Sequence, residues 1–171
     1  VRTVFNMLGP LTNPAGAKRQ LLGVYDRALV RPVAEVLRAL GSEHVMVVHS
    51  ADGLDEISIA AETAVAELKN GDIAEYVIGP EDFSLVRGSL DALKVDSAVE
   101  SLAMVKAALN GSFEAAADMV ALNAGAAVYV SGQAIDLISG VKMAQDAMGS
   151  GLATEKMKEF VGFTVQLGDS V

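Results

Sequence analysis

The run His44-Val45-Met46-Val47-Val48-His49 constrains this chain most, because it carries no alternation of apolar and polar residues. A strand with one face in water alternates; one without alternation has to be covered on both faces, which places it inside a layered α/β sheet. The segment before it supplies one cover. Val33, Val36, Leu37 and Leu40 recur at helical spacing between Asp26 and Leu40, Asp26 is a suitable cap and Gly41 a stop. Pro32 falls inside this stretch, so the regular helix is expected to start near Arg31. Gln20 to Tyr25 is a short apolar run suited to a buried strand. Strand, helix and strand in that order give a parallel βαβ unit.

Downstream, Thr63 to Leu68 and Ile73 to Ile78 are strand-like and flank Lys69-Asn70-Gly71-Asp72, where Asn-Gly signals a hairpin. The sheet is therefore expected to be mixed. From Ser97 the pattern turns helical. Ser97-Ala98-Val99-Glu100 has the form of a capping box, opening a helix to Asn110 that Gly111 ends. Further helices are expected over Glu114 to Val130, Ala134 to Met148 and Thr154 to Val165, the last with Met157, Phe160, Val161 and Phe163 as its apolar contributors. Alanines at 115 to 117, 121, 124, 126 and 127 make the first of these thin-sided and able to pack closely on the sheet.

Composition excludes several function classes. With 13 Lys plus Arg against 22 Asp plus Glu, the formal charge is −9, and no basic run offsets it, so nucleic acid is not an expected partner. No Cys is present, which removes disulfides and thiolate metal sites and suits a cytoplasmic location. The most apolar stretch, Ala115 to Gly140, is broken by Asp118, Asn123, Gln133 and Asp136, short of the ~20 apolar residues of a membrane span. No membrane association is expected. Val1-Arg2-Thr3-Val4 has neither an initiator Met nor a signal-peptide layout, and the chain is expected to be part of something longer.

The residues most able to carry chemistry lie in Ser50-Ala51-Asp52-Gly53-Leu54-Asp55-Glu56, just past the C-terminal end of the unalternating strand. Ligands of open α/β sheets bind at that edge. Adjacent Asp55 and Glu56 suit magnesium, which takes one or two carboxylates and completes its shell with water and substrate phosphates. A solvated acidic turn is the alternative. His49 borders this loop; it is either a general base or metal ligand or, with no nucleophilic Ser or Cys arrangement beside it, a strand-end histidine held by a hydrogen bond. Asn6 and Asn13 suit caps and turns. No Gly-x-Gly-x-x-Gly or Walker-type loop occurs, so the chain has no recognisable phosphate cradle, and no catalytic or substrate-binding residue is assigned.

Arg2-Thr3-Val4-Phe5-Asn6-Met7-Leu8-Gly9-Pro10-Leu11-Thr12-Asn13-Pro14 resembles the segment opening the second half of anthranilate phosphoribosyltransferases. Asp52-Gly53-Leu54-Asp55-Glu56 resembles their acidic magnesium motif, and the two occur in the family's order. Glu75 to Phe83 and Leu122-Asn123-Ala124-Gly125-Ala126-Ala127-Val128-Tyr129-Val130 are similar to later family segments; residues 91 to 100 depart from the usual glycine-containing pattern. The resemblance weakens after about Glu155.

That resemblance implies a fold, a reaction and a metal. The fold is the later part of the α/β domain of nucleoside phosphorylase/phosphoribosyltransferase type: a partial, mixed, mostly parallel sheet flanked by helices over residues 1–171, with an upstream helical domain and the first strands absent. The reaction is transfer of the phosphoribosyl group from phosphoribosyl diphosphate to anthranilate in tryptophan biosynthesis, with Mg2+ held by Asp55 and Glu56, in a homodimer. The family's glycine-rich diphosphate loop, its Lys-His-Gly-Asn segment and its anthranilate-contacting arginine are expected upstream of Val1, Arg2 not being that arginine. The chain alone is accordingly expected to be inactive. A pyrimidine nucleoside phosphorylase-like enzyme and a non-catalytic relative of the same fold are the rivals; Ile57-Ser58 after the acidic motif favours the transferase, and the charge of −9 opposes a nucleic-acid-binding relative.

Overall fold

A computed structural model of the chain describes Gly9 and residues 11–168. Asn6 lies outside the described residues. Asn13 acts as a turn residue, its Oδ1 accepting from the Ala15 amide at 2.9 Å.

The βαβ unit forms as the sequence predicts. Strand β1 (Arg19–Gly23) leads to a 3-10 turn (Arg27–Leu29) capped by Asp26, whose side chain accepts from the Ala28 amide, and then to helix α1 (Val30–Ala39). Pro32 sits in the first turn of α1, where its missing N–H costs nothing. Strand β2 (His44–Ser50) pairs parallel with β1, Leu22 opposite Val47. Strands β3 (Thr63–Lys69) and β4 (Asp72–Ile78) form the hairpin, its turn made by Asn70 and Gly71, both at positive φ (55° and 88°).

The sheet order is β1-β2-β3-β4. It is mixed, as expected, but the expected parallel majority is absent from the described strands: β2/β3 and β3/β4 are antiparallel. The cause is the β2–β3 connection, residues 51–62, which carries no helix for a parallel crossover.

Both faces of β2 are covered. Val45 and Val47 point to one side, where with Ala66 and Leu68 they pack on Val30, Val33, Ala34 and Leu37 of α1. Met46 and Val48 point to the other, against helices α3 (Glu114–Ser131) and α4 (Leu137–Gly149), through Leu122, Ala126, Val130 and Val141. Each of the Val, Leu and Met side chains among these contributes about 1.5–3 kcal/mol when fully buried. The α3–α4 crossing is close because it uses glycine on both helices: a Cβ on Gly140 would lie 2.3 Å from the Gly125 carbonyl oxygen.

Helix α2 (Ala98–Leu109) starts at Ser97, whose side chain accepts from the Glu100 amide, while Glu100 reaches back to the Asp96 amide at 2.8 Å. Helix α4 begins at Leu137, later than expected, because Asp136 caps it through the Ser139 amide. In helix α5 (Leu152–Gly168) the apolar contributors Phe160, Val161 and Phe163 are exposed, and no residue of the helix is fully buried. No helix among the described residues is long and apolar enough to cross a membrane.

At the N-terminal end of β2, remote from the acidic loop along the strand, Glu67 collects hydrogen bonds from Tyr129 (2.7 Å), Tyr76 (2.8 Å) and His44 Nε2 (2.8 Å). Lys69 donates to the Tyr129 hydroxyl at 2.9 Å. This polar knot joins β2, β3, β4 and α3. Burial raises the proton affinity of Glu67, and the donors Tyr129, Tyr76 and His44 outweigh it, leaving the carboxyl below its ordinary range.

Candidate metal and substrate site

The acidic loop begins where β2 ends, at fully buried Ser50. Gly53, at φ +92°, turns the chain; its amide donates to Ser50 O at 2.9 Å, and the Ser50 amide donates to Leu54 O at 2.9 Å. Asp52 serves the turn itself. Its Oδ1 accepts from the Leu54 amide at 3.3 Å and its Oδ2 from the Ser58 hydroxyl at 2.6 Å. Burial raises the Asp52 carboxyl, but Ser58, Ser50 and the Leu54 amide together hold it below its ordinary value. Asp52 is thus an ionised brace of the loop.

Asp55 and Glu56 stand apart from that brace, as adjacent exposed carboxylates. Among the described residues no Lys, Arg or His forms an ion pair with either. The Glu56 carboxyl is raised above its ordinary value, first by partial desolvation and second by the charge of Asp55. Two oxygen-donor groups that repel each other and lack a protein cation are chemically suited to a hard divalent ion. Among the described residues, no group of three or more His, Cys, Asp or Glu side chains is placed to hold a metal. A cation here would rely on water and ligand oxygens for the rest of its shell.

Three contacts position this pair, and sequence reasoning missed all of them. Gly23, at the end of β1, passes so close to the loop that a Cβ there would lie 1.6 Å from the Asp55 carbonyl oxygen. Asn123 of α3 holds the peptide groups of Ile57: its Oδ1 accepts from Ile57 N and its Nδ2 donates to Ile57 O, both at 2.9 Å. The Ser58 amide donates to Thr63 Oγ1 at 3.2 Å, closing the loop onto β3. Asn123 had one visible signal, as one of the few polar residues that interrupt the apolar stretch from Ala115 to Gly140.

His49 takes the structural alternative, its ring Nδ1–H donating to Val24 O at 2.8 Å. His44 belongs to the Glu67 knot and is buried. Beside the loop, Leu54 joins Leu93, Met104, Val105, Met119 and Val120 around an open hollow of about 460 Å³. Its walls are almost wholly apolar and offer no phosphate cradle.

The model of the glycosyl transferase family, a/b domain, matches residues 1–154. The anthranilate phosphoribosyltransferase of Marinomonas sp. is 62% identical over 165 residues, covering 95% of this chain and 48% of that protein. The crystal structure of anthranilate phosphoribosyltransferase from Thermus thermophilus superposes with a TM-score of 0.86 at 40% identity, over 95% of this chain and 48% of that one. The Saccharomyces cerevisiae enzyme, solved in complex with PRPP and Mg, shares the fold, with a TM-score of 0.81 at 24% identity over 95% of this chain and 47% of that one. These relatives bear the family name that the sequence motifs suggested, and the chain spans about half the length of the curated relatives it matches. By the match over residues 1–154, the chain belongs to the glycosyl transferase family, in its α/β domain.

Proposed function

We propose that the protein containing this chain transfers the phosphoribosyl group from phosphoribosyl diphosphate to anthranilate, a step of tryptophan biosynthesis, and that Asp55 and Glu56 hold its Mg2+. The observation that carries this reading is the acidic pair itself, lacking a described protein cation and fixed at the C-terminal edge of β2, in a chain 62% identical to an anthranilate phosphoribosyltransferase over that region. The same identity favours the transferase over a nucleoside phosphorylase-like enzyme or a non-catalytic relative.

In this reaction the amine nitrogen of anthranilate forms a bond to C1 of the ribose. The C1–O bond to diphosphate breaks with its electron pair leaving on diphosphate, and the amine gives up a proton. Asp55 and Glu56 would hold Mg2+, which when bound supplies positive charge against the charge that builds on the leaving diphosphate. The contributions of this chain are positional. Asp55 and Glu56 present two negative charges at the sheet edge; Asp52, Ser58 and Gly53 fix the turn that presents them; Asn123 and Gly23 set its distance from the sheet. Residues 1–171 form the later part of the α/β domain, the remaining substrate groups come from elsewhere in the protein, and the whole works as a cytoplasmic homodimer.

Asp55→Asn combined with Glu56→Gln in the full gene product tests the reading. The double variant should keep its far-UV circular dichroism and lose several kcal/mol of transition-state stabilisation. Turnover near wild type at limiting Mg2+ would refute it. For residues 1–171 alone, calorimetric titration with phosphoribosyl diphosphate and Mg2+ should show no tight binding, since the sequence has no recognisable phosphate cradle.

A further inference from the structure

We infer that Asn123 is a positioning residue for the carboxylate pair, acting through the backbone of Ile57. This rests on the reading of Asp55 and Glu56 as the magnesium site. The geometry is specific. One side-chain amide uses its acceptor on Ile57 N (2.9 Å) and a donor on Ile57 O (2.9 Å), and its remaining donor bonds Met119 O of its own helix at 3.0 Å. Three bonds leave the amide a single rotamer and a single flip state. Ile57 is itself buried, with its side chain in the same core cluster as Leu122 and Ala126 of α3. Both the backbone and the side chain of the residue following Glu56 are therefore referenced to α3.

A loop held only by its own turn would let Glu56 swing about the Ile57 peptide. On that side the Ser58 bonds to Thr63 and Asp52 close the loop on β3 and on its own turn, and Asn123 is the side chain that ties Ile57, the residue next to Glu56, to α3. Helix α3 packs on β1 and β2 as well as α4, so Asn123 ties the loop to the rigid part of the domain. Partners that orient ligating groups in this way commonly change metal affinity by about 10–100-fold when removed.

The test uses the full gene product in the presence of phosphoribosyl diphosphate, with Mn2+ as the probe read by electron paramagnetic resonance per mole of folded protein. Asn123→Ala is expected to raise the half-saturating Mn2+ concentration about ten-fold or more. Val33→Ala in α1, in the core on the other face of the sheet, should lower the melting temperature yet leave Mn2+ binding unchanged, which separates positioning from general loss of stability. Should Asn123→Ala fail to fold, Asn123→Ser, shorter by one atom but still polar, takes the same measurement. Wild-type Mn2+ affinity in whichever folded variant is measured overturns the proposal, as does an Ile57 amide that exchanges with deuterium as fast as the exposed loop amides of the native protein. Asp55→Asn distinguishes the two levels. If it too binds Mn2+ like the wild type, the magnesium reading falls and this inference with it; if it binds weakly while the Asn123 variant binds normally, only the role of Asn123 falls.

Discussion

Gly23 and Asp55 approach until a single methyl group would not fit between them: a Cβ on Gly23 would stand 1.6 Å from the Asp55 carbonyl oxygen. The obstacle is backbone, which cannot rotate away as a side-chain tip can. Gly23→Ala should therefore push the acidic loop outward and destabilise the domain by about 1–3 kcal/mol or more. Chemical denaturation and the amide chemical shifts of residues 52–57 measure the two effects. Unchanged shifts in a fully stable variant would show that the loop does not rest on β1.

Glu56 is expected to cost stability where it serves function. Its folded proton affinity is raised, so its ionised form is disfavoured in the native state, and the penalty applies at pH above the folded pKa and vanishes below the unfolded one. Without metal at pH 7, Glu56→Gln should melt at the same temperature as wild type or higher, with the difference disappearing on acidification below about pH 4.5. A lower melting temperature at pH 7 would mean that Glu56 has a favourable partner.

Glu67 behaves in the opposite sense. Its folded pKa lies below the ordinary value, so it adds stability that is present above the unfolded pKa of about 4.5 and is lost as pH falls through the folded value. Removing it leaves the hydroxyls of Tyr76 and Tyr129 and the His44 ring without their acceptor. Glu67→Ala should cost about 3–5 kcal/mol near pH 7, and the gap to wild type should narrow in acid. Urea midpoints across pH 3–8 measure this; a gap that does not change with pH would contradict the assignment.

Val47 reports on the layered core. It is fully buried between β1, β3 and α1, and Val47→Ala should cost about 1–3 kcal/mol in lost transfer energy and residual cavity. A neutral substitution by denaturant titration would contradict the two-sided cover of β2.

Patterns that repeat along the chain were legible and contacts between distant segments were not. The unalternating β2, the Asn70-Gly71 turn and the Asp26 and Ser97 caps each follow from a few neighbouring residues. So does the acidic loop, whose place past β2 needs only the order of elements. The direction of β3 depended on what residues 51–62 do not contain, and the parallel majority was wrong for these strands on that account. Asn123 and Gly23 act across 66 and about 32 residues of sequence respectively, which no local pattern encodes. Phe160 and Phe163 repeat at helical spacing yet stay exposed, because periodicity shows which face is apolar and not whether anything covers it.

The most direct test is the anomalous difference map of crystals of the full gene product grown with phosphoribosyl diphosphate and Mn2+. The account predicts a peak within metal–oxygen bonding distance of the Asp55 or Glu56 carboxylate and of a diphosphate oxygen. A well-ordered diphosphate with its metal bound elsewhere, and neither carboxylate in contact directly or through one water, would contradict it.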